Sequence, residues 1–122
     1  MPAGGAAAAR SSDASDVTSA PPPYIAKVVW VELRSGRSLQ VYPTASGRRA
    51  TDPGAESDAW AEVVRRAPDA ESPGMRAQFD CHWQLARLAD PTKASWNLEP
   101  WRPVVSGKVL YDTRCNPGGP EV

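Results

Sequence analysis

The sequence predicts a small α+β domain. One small antiparallel sheet, an N-terminal hairpin plus a C-terminal strand, carries two helices on one face, with one disulfide. Three observations predict it. Ile25–Leu33 (IAKVVWVEL) and Ser38–Tyr42 (SLQVY) flank a short Gly-containing turn, the pattern of a β-hairpin. Two later segments repeat apolar residues at helical spacing behind a start signal. Two cysteines, Cys81 and Cys115, stand 34 positions apart with no CxxC pair.

The elements follow in order. Residues 1–23 hold Ala, Gly, Ser, Asp and Pro but no Leu, Ile, Phe or Trp. Such a composition buries too little apolar area to offset the entropy of ordering. A disordered Ala/Ser/Pro-rich arm is expected there, and a single globular domain over 24–122. In the hairpin, β-branched residues surround Trp30, and Gly36 can take the positive φ a tight turn requires. Thr44–Ser57 reads as a loop through Gly47, Asp52, Pro53 and Gly54. Ser57 or Asp58 is the expected cap of the first helix. Its apolar face is Trp60, Val63, Val64 and Ala67, with Glu62, Arg65 and Arg66 on the other side, and Pro68 stops it. Ser72-Pro73 opens a second helix to about Ala89. Met75, Phe79, His82, Ala86 and Ala89 form its stripe, widened by Trp83, Leu85 and Leu88. Phe79–Leu88 is the part that could become strand. Pro91–Pro103 reads as a Trp-rich loop, Val104–Thr113 as the last strand, and Asn116–Val122 as a loose tail.

Composition excludes some functions. Fourteen basic residues balance 14 acidic ones, so the chain lacks the basic footprint of a nucleic-acid partner. No apolar run is long enough for a transmembrane helix. One histidine and two cysteines cannot complete a four-ligand zinc site without a carboxylate, so no metal or other cofactor is expected. No P-loop, GxGxxG, HExxH, GxSxG or EF-hand pattern occurs. For Cys81 and Cys115 a disulfide is the simpler reading, against two unrelated thiols. Closing a loop of that size contributes about 3–4 kcal/mol in the chain-entropy model, and it calls for an oxidising compartment. The arm has no complete signal peptide, although Ala6–Ala9 resembles the small-residue end of one. Either Met1 is an internal start with a signal upstream, or the chain is cytoplasmic; the disulfide favours export.

Two constellations invite chemistry. Asp80-Cys81-His82 places a thiol beside an imidazole, but adjacent helical side chains diverge and a bridged cysteine is no nucleophile. The richest stretch is Trp96-Asn97-Leu98-Glu99-Pro100-Trp101-Arg102-Pro103. Its prolines hold an extended path. It either closes the core with its two Trp, Arg102 acting as an anchor, or offers a rigid aromatic and guanidinium recognition surface. Binding candidates are Gln78, His82, Trp96, Asn97, Trp101 and Arg102.

The segments GMRAQFDCHWQLARLADPTKASWNLEPWRPVV and CNPGGPE resemble an uncharacterised bacterial family, domain of unknown function 2599, common in actinobacterial exported proteins. The resemblance rests on Met75, Gln78, Cys81 and His82, then Trp96, Asn97, Leu98, Glu99, Trp101, Arg102 and Pro103, then Cys115, Asn116 and Pro117. It covers roughly Tyr24–Glu121 and implies export, but supplies no activity.

Residues and resemblance together point to a secreted or cell-envelope binding or structural module, whose partner would be an envelope glycan or another exported protein. The reading leans away from an enzyme. The alternatives are a small extracellular hydrolase and a toxin-like or inhibitory effector. In the hydrolase, His82 would be the base, Glu99 or Asp80 the acid, and Arg102 the anion holder.

Overall fold

The computed structural model describes residues 20–119. Of the expected arm, residues 1–19 lie outside the described residues. Packing is already in place ahead of Tyr24: Ala20 is buried in the core, and Thr44 Oγ1 donates to the Pro23 carbonyl at 2.7 Å.

Strands β1 (Ile25–Leu33) and β2 (Gly36–Pro43) form the hairpin around Arg34-Ser35. Gly36 takes φ 131°, a backbone conformation that suits only glycine. The register opposes Trp30 to Leu39 and Val28 to Val41. The third strand, β3 (Trp96–Leu98), lies within the Trp-rich stretch and pairs antiparallel with β2, Leu98 facing Leu39 and Trp96 facing Val41. The sheet order is β1-β2-β3.

Among the described residues, five α-helical segments follow the hairpin. Helix α1 (Ala45–Arg49) forms inside the expected loop because Thr44 caps it, accepting from Gly47 N at 3.0 Å. Helix α2 (Ala55–Arg66) starts ahead of the expected Ser57 or Asp58 cap. Gly54 is its N-cap, without a side-chain hydrogen bond. A 3-10 turn at Pro68–Ala70 ends it. Helix α3 (Pro73–Cys81) begins as expected, Ser72 Oγ accepting from Met75 N at 3.1 Å. It runs through a π-helical turn (His82–Ala86) into α4 (Arg87–Ala89), so this segment is not strand. Leu88, assigned to the buried stripe, is exposed, because the wider π turn rotates the residues after it.

The expected C-terminal strand is a correction. Val104–Thr113 contains α5 (Gly107–Asp112). Ser106 caps it, accepting from Val109 N at 3.2 Å, and Lys108 pairs with Asp112 one turn on. These local bonds outweigh the β-propensity of Val109 and Tyr111. The disulfide Cys81–Cys115 is present, Cα–Cα 5.7 Å, and ties α3 to the turn after α5 rather than to a strand.

Helices α2 and α3 cover one sheet face. That core holds Leu39, Val41, Trp96 and Leu98 from the sheet and Trp60, Val63, Met75, Phe79 and Trp83 from the helices. Phe79 is central, with ring centroids 5.4 Å from Trp60, 6.0 Å from Trp83 and 6.1 Å from Trp96. Each such buried side chain contributes about 1.5–3 kcal/mol.

Candidate functional site

The second sheet face decides where the candidate residues go. Side chains alternate across a strand, so Lys27, Val29, Val31 and Leu33 share this face with Ser38, Gln40, Tyr42 and Asn97. The register sets Val29 opposite Gln40, and Gln40 opposite Asn97. Beyond β3 the chain carries Glu99 onto Ser38, whose Oγ donates to Glu99 Oε2. Trp101 lies over the turn: a Cβ built on Gly36 would stand 2.7 Å from Trp101 Cδ1.

Arg102 closes this end. Its Nε donates to Glu99 Oε1 at 2.8 Å, and both side chains are 0% exposed. Its Nη1 donates to the carbonyls of Pro117 (2.9 Å) and Gly119. Its guanidinium carbon sits 4.4 Å from the Trp101 ring centre, a cation–π distance. Among the described residues, Arg102 Nη2 and the indole N–H groups of Trp96 and Trp101 find no acceptor. The tail is thereby pinned twice, by Arg102 and by the disulfide. Its backbone packs so closely on Pro103 that a Cβ on Gly118 would stand 2.9 Å from Pro103 Cδ.

The other candidates are equally engaged. Gln78 reaches from α3 to the free edge of β3, where Nε2 donates to Glu99 O and Oε1 accepts from Glu99 N, each at 2.8 Å. The side chain thus completes the ladder as a neighbouring strand would. His82 is buried, and its Nδ1–H donates to the Gln78 carbonyl at 2.8 Å. Burial pushes its imidazole down to about 4, so it is neutral at pH 7. Trp96 is fully buried in the core, Trp101 is half-buried over Gly36, and Asn97 is half-buried on the second face. Cys81 is bridged, and Asp80 binds Arg76 Nε at 2.8 Å. The structure therefore brings Gln78, Glu99 and Arg102 together, joined by Ser38. His82 is hydrogen-bonded to this group through the Gln78 backbone and feels the charges of Glu99 and Arg102.

Three anchors escaped the sequence reading. Glu62, assigned to the polar side of its helix, is buried and accepts from Tyr24 N (3.0 Å) and Ile25 N (2.9 Å). Its position next to Val63 was the available signal. Arg87 donates from Nε to Trp83 O (2.8 Å) and from Nη1 to Gly47 O (3.1 Å) and Ala50 O (2.8 Å), and lies 4.0 Å over the Trp83 ring. Ser38 belongs to the Glu99 pair, which only the strand register reveals. The less covered part of the second face is the half with Lys27 and Val29, both exposed, and Gln40, Tyr42 and Asn97, half-buried, the Tyr42 hydroxyl donating to Gln40 Oε1 at 3.1 Å. Lys27 lies 4.6 Å over the Tyr42 ring, and Val29 is 37% exposed.

The family described as Protein of unknown function (DUF2599) matches residues 25–118, nearly the whole described domain. The chain belongs to this family. Among DUF2599 relatives, the uncharacterized protein Rv0477 of Mycobacterium tuberculosis is 50% identical over 95 residues, covering 75% of this chain and 64% of its own length. The chain thus spans less than two thirds of that relative's length. The uncharacterized protein ML2452 of Mycobacterium leprae is 40% identical over 99 residues, covering 79% of this chain and 80% of its own. The DUF2599 match takes in Gln78, Cys81, His82, Glu99, Arg102 and Cys115. No solved structure matches the chain significantly.

Proposed function

We propose that this DUF2599 domain is an exported or cell-envelope binding module, that its Trp/Arg loop is an internal latch, and that its contact surface is the open half of the second sheet face. The observation that carries the reading is the pairing of Glu99 with Arg102, both 0% exposed and bonded to Ser38 and to tail carbonyls. A recognition loop keeps its guanidinium available to a ligand, and a hydrolase keeps its acid and base open to substrate. Here the guanidinium and carboxylate neutralise one another, and the only histidine is neutral and turned to a backbone carbonyl. The disulfide supports an oxidising compartment. The described helices include none long and apolar enough to cross a membrane.

The open half-face presents two amides, a phenol, a lysine and a valine. Amides and a phenol suit hydroxyl-rich partners, and the lysine suits a carboxylate. A cell-envelope glycan carrying carboxylates fits that chemistry. The test is NMR titration of the full chain with soluble peptidoglycan fragments. Saturable shifts at Lys27, Val29, Gln40, Tyr42 and Asn97 are expected. Absence of saturable shifts contradicts the glycan assignment, and shifts centred on His82, Glu99 and Arg102 favour the hydrolase alternative instead.

A further inference from the structure

The disulfide is more than a staple in its placement. A groove of about 320 Å³ runs between α3 and α5, lined by Ala77, Asp80, Gln84, Leu85 and Tyr111, the Asp80 charge offset by Arg76, and Cys81 is part of its wall. Cys115 is not, and is the more deeply buried of the two. Cys81 is 7% exposed, Cys115 2%, so the groove wall is the thinner cover over the bridge. On the Cys115 half the backbone is held in an unfavourable state. Arg114 and Cys115 take φ 53° and 68°, two successive left-handed residues that are not glycine. Immediately beyond them lie the Pro117 and Gly119 carbonyls that hold Arg102.

We propose that Cys81–Cys115 is an exchangeable disulfide, attacked at Cys81 through this groove by a protein dithiol of the thioredoxin class, and that its reduction opens the latch over the sheet. Attack by thiolate depends on which sulfur is accessible, and the groove selects Cys81. The incoming thiolate forms a bond to Cys81 Sγ while the Cys81–Cys115 bond breaks. Cys115 leaves as thiolate and takes a proton from water. The second thiolate of the partner then attacks the mixed disulfide, and Cys81 leaves as thiolate and is protonated in turn. The partner is oxidised to a disulfide, and this chain gains two electrons and two protons. Once Cys115 is free, Arg114 and Cys115 can leave the left-handed region. The tail then loses its covalent tie and is held by Arg102, by its turn hydrogen bonds and by the packing of Pro117 and Gly118. Its departure uncovers Arg102, Pro103 and the edge of Trp101, the groups the tail lies against. The inference rests on the closed latch and not on the identity of the glycan.

The experiment uses the full chain with dithiothreitol as the small dithiol, alkylation of released thiols, and hydrogen exchange read by mass spectrometry. After reduction, the amides of Cys115, Asn116, Gly118 and Gly119 and of Trp101 and Arg102 are expected to exchange at least about tenfold faster, as for a local opening, with residues 39–41 and 75–79 unchanged. Three results overturn the proposal: a bridge that native protein does not release, release with no change in exchange, or loss of protection throughout the core. The attacked sulfur is read separately by trapping with a thioredoxin lacking its second cysteine. The adduct is expected on Cys81, and an adduct on Cys115 contradicts the route. Leu85→Trp, or Gln84→Trp should the first variant lower the Tm, fills the groove and is expected to slow trapping about tenfold through lost access. An unchanged rate removes the groove from the account.

Discussion

Replacing Arg102 by Ala tests the latch where it is most concentrated. The substitution leaves the Glu99 carboxylate, 0% exposed, with Ser38 Oγ but without its cation. It also strips the Pro117 and Gly119 carbonyls of their donor. Breaking a buried pair by removing one partner is destabilising by about 3–5 kcal/mol. For a domain of about this size each kcal/mol moves the Tm by about 4–8 °C, so a drop of roughly 15 °C or more is expected. Thermal and urea unfolding followed by circular dichroism measure it. A double variant, Glu99→Leu with Arg102→Met, separates lost packing from unpaired charge. It removes both ions together and is expected to recover more than half of the loss. A Tm for Arg102→Ala within about 2 °C of the parent would refute the reasoning. It would mean that solvent reaches Glu99.

Other sites give independent expectations. Glu62→Ala orphans the Tyr24 and Ile25 amides and is expected to lower stability by about 2–4 kcal/mol in urea unfolding, with Glu62→Gln retaining part of it. His82 has its folded value pushed down to about 4 from an ordinary 6.5. The unfolded chain therefore binds the extra proton between those values, and stability falls as pH drops through that window, by up to roughly 3 kcal/mol. His82→Gln is expected to flatten the Tm against pH between 6.5 and 4; an unchanged slope assigns it to another group. Gly47→Ala sets a Cβ 2.1 Å from the Tyr24 carbonyl oxygen, and a loss of about 2 kcal/mol or more is expected in the same assay because backbone must move.

Features with a local cause were legible in the sequence. Alternating β-branched residues give the hairpin, the Ser72 cap with Pro73 gives the start of α3, and two cysteines in an otherwise thiol-free chain give the bridge. Features fixed by distant partners were not. Strand β3 has three residues, hidden among prolines, and exists because Leu98 and Trp96 meet Leu39 and Val41. Glu62 looked solvated on its own helix, and only the arrival of Tyr24 and Ile25 makes it a buried acceptor. Helix α5 is a different case: its signal was local, in Ser106 and the Lys108–Asp112 spacing, and the β-propensity of Val109 and Tyr111 masked it. In the candidate site, the Trp-rich stretch with its prolines suggested Arg102 as an anchor, which the Glu99–Arg102 pair bears out. That the pair faces inward depends on Ser38, Pro117 and Gly119, remote in sequence and supplied by the fold.

Hydrogen exchange at the side-chain Nε–H of Arg102, followed by nitrogen-resolved NMR at neutral pH, tests most directly whether the Trp/Arg loop is an internal latch. Arg34 and Arg65, both exposed, serve as references within the same spectrum. The account predicts a sharp Arg102 signal, shifted by Trp101 and exchanging at least about a hundredfold more slowly than the references, as expected for a buried, bonded donor. An Arg102 Nε–H exchanging at the rate of Arg34 and Arg65 would contradict it and place the guanidinium in solvent, where a ligand could reach it.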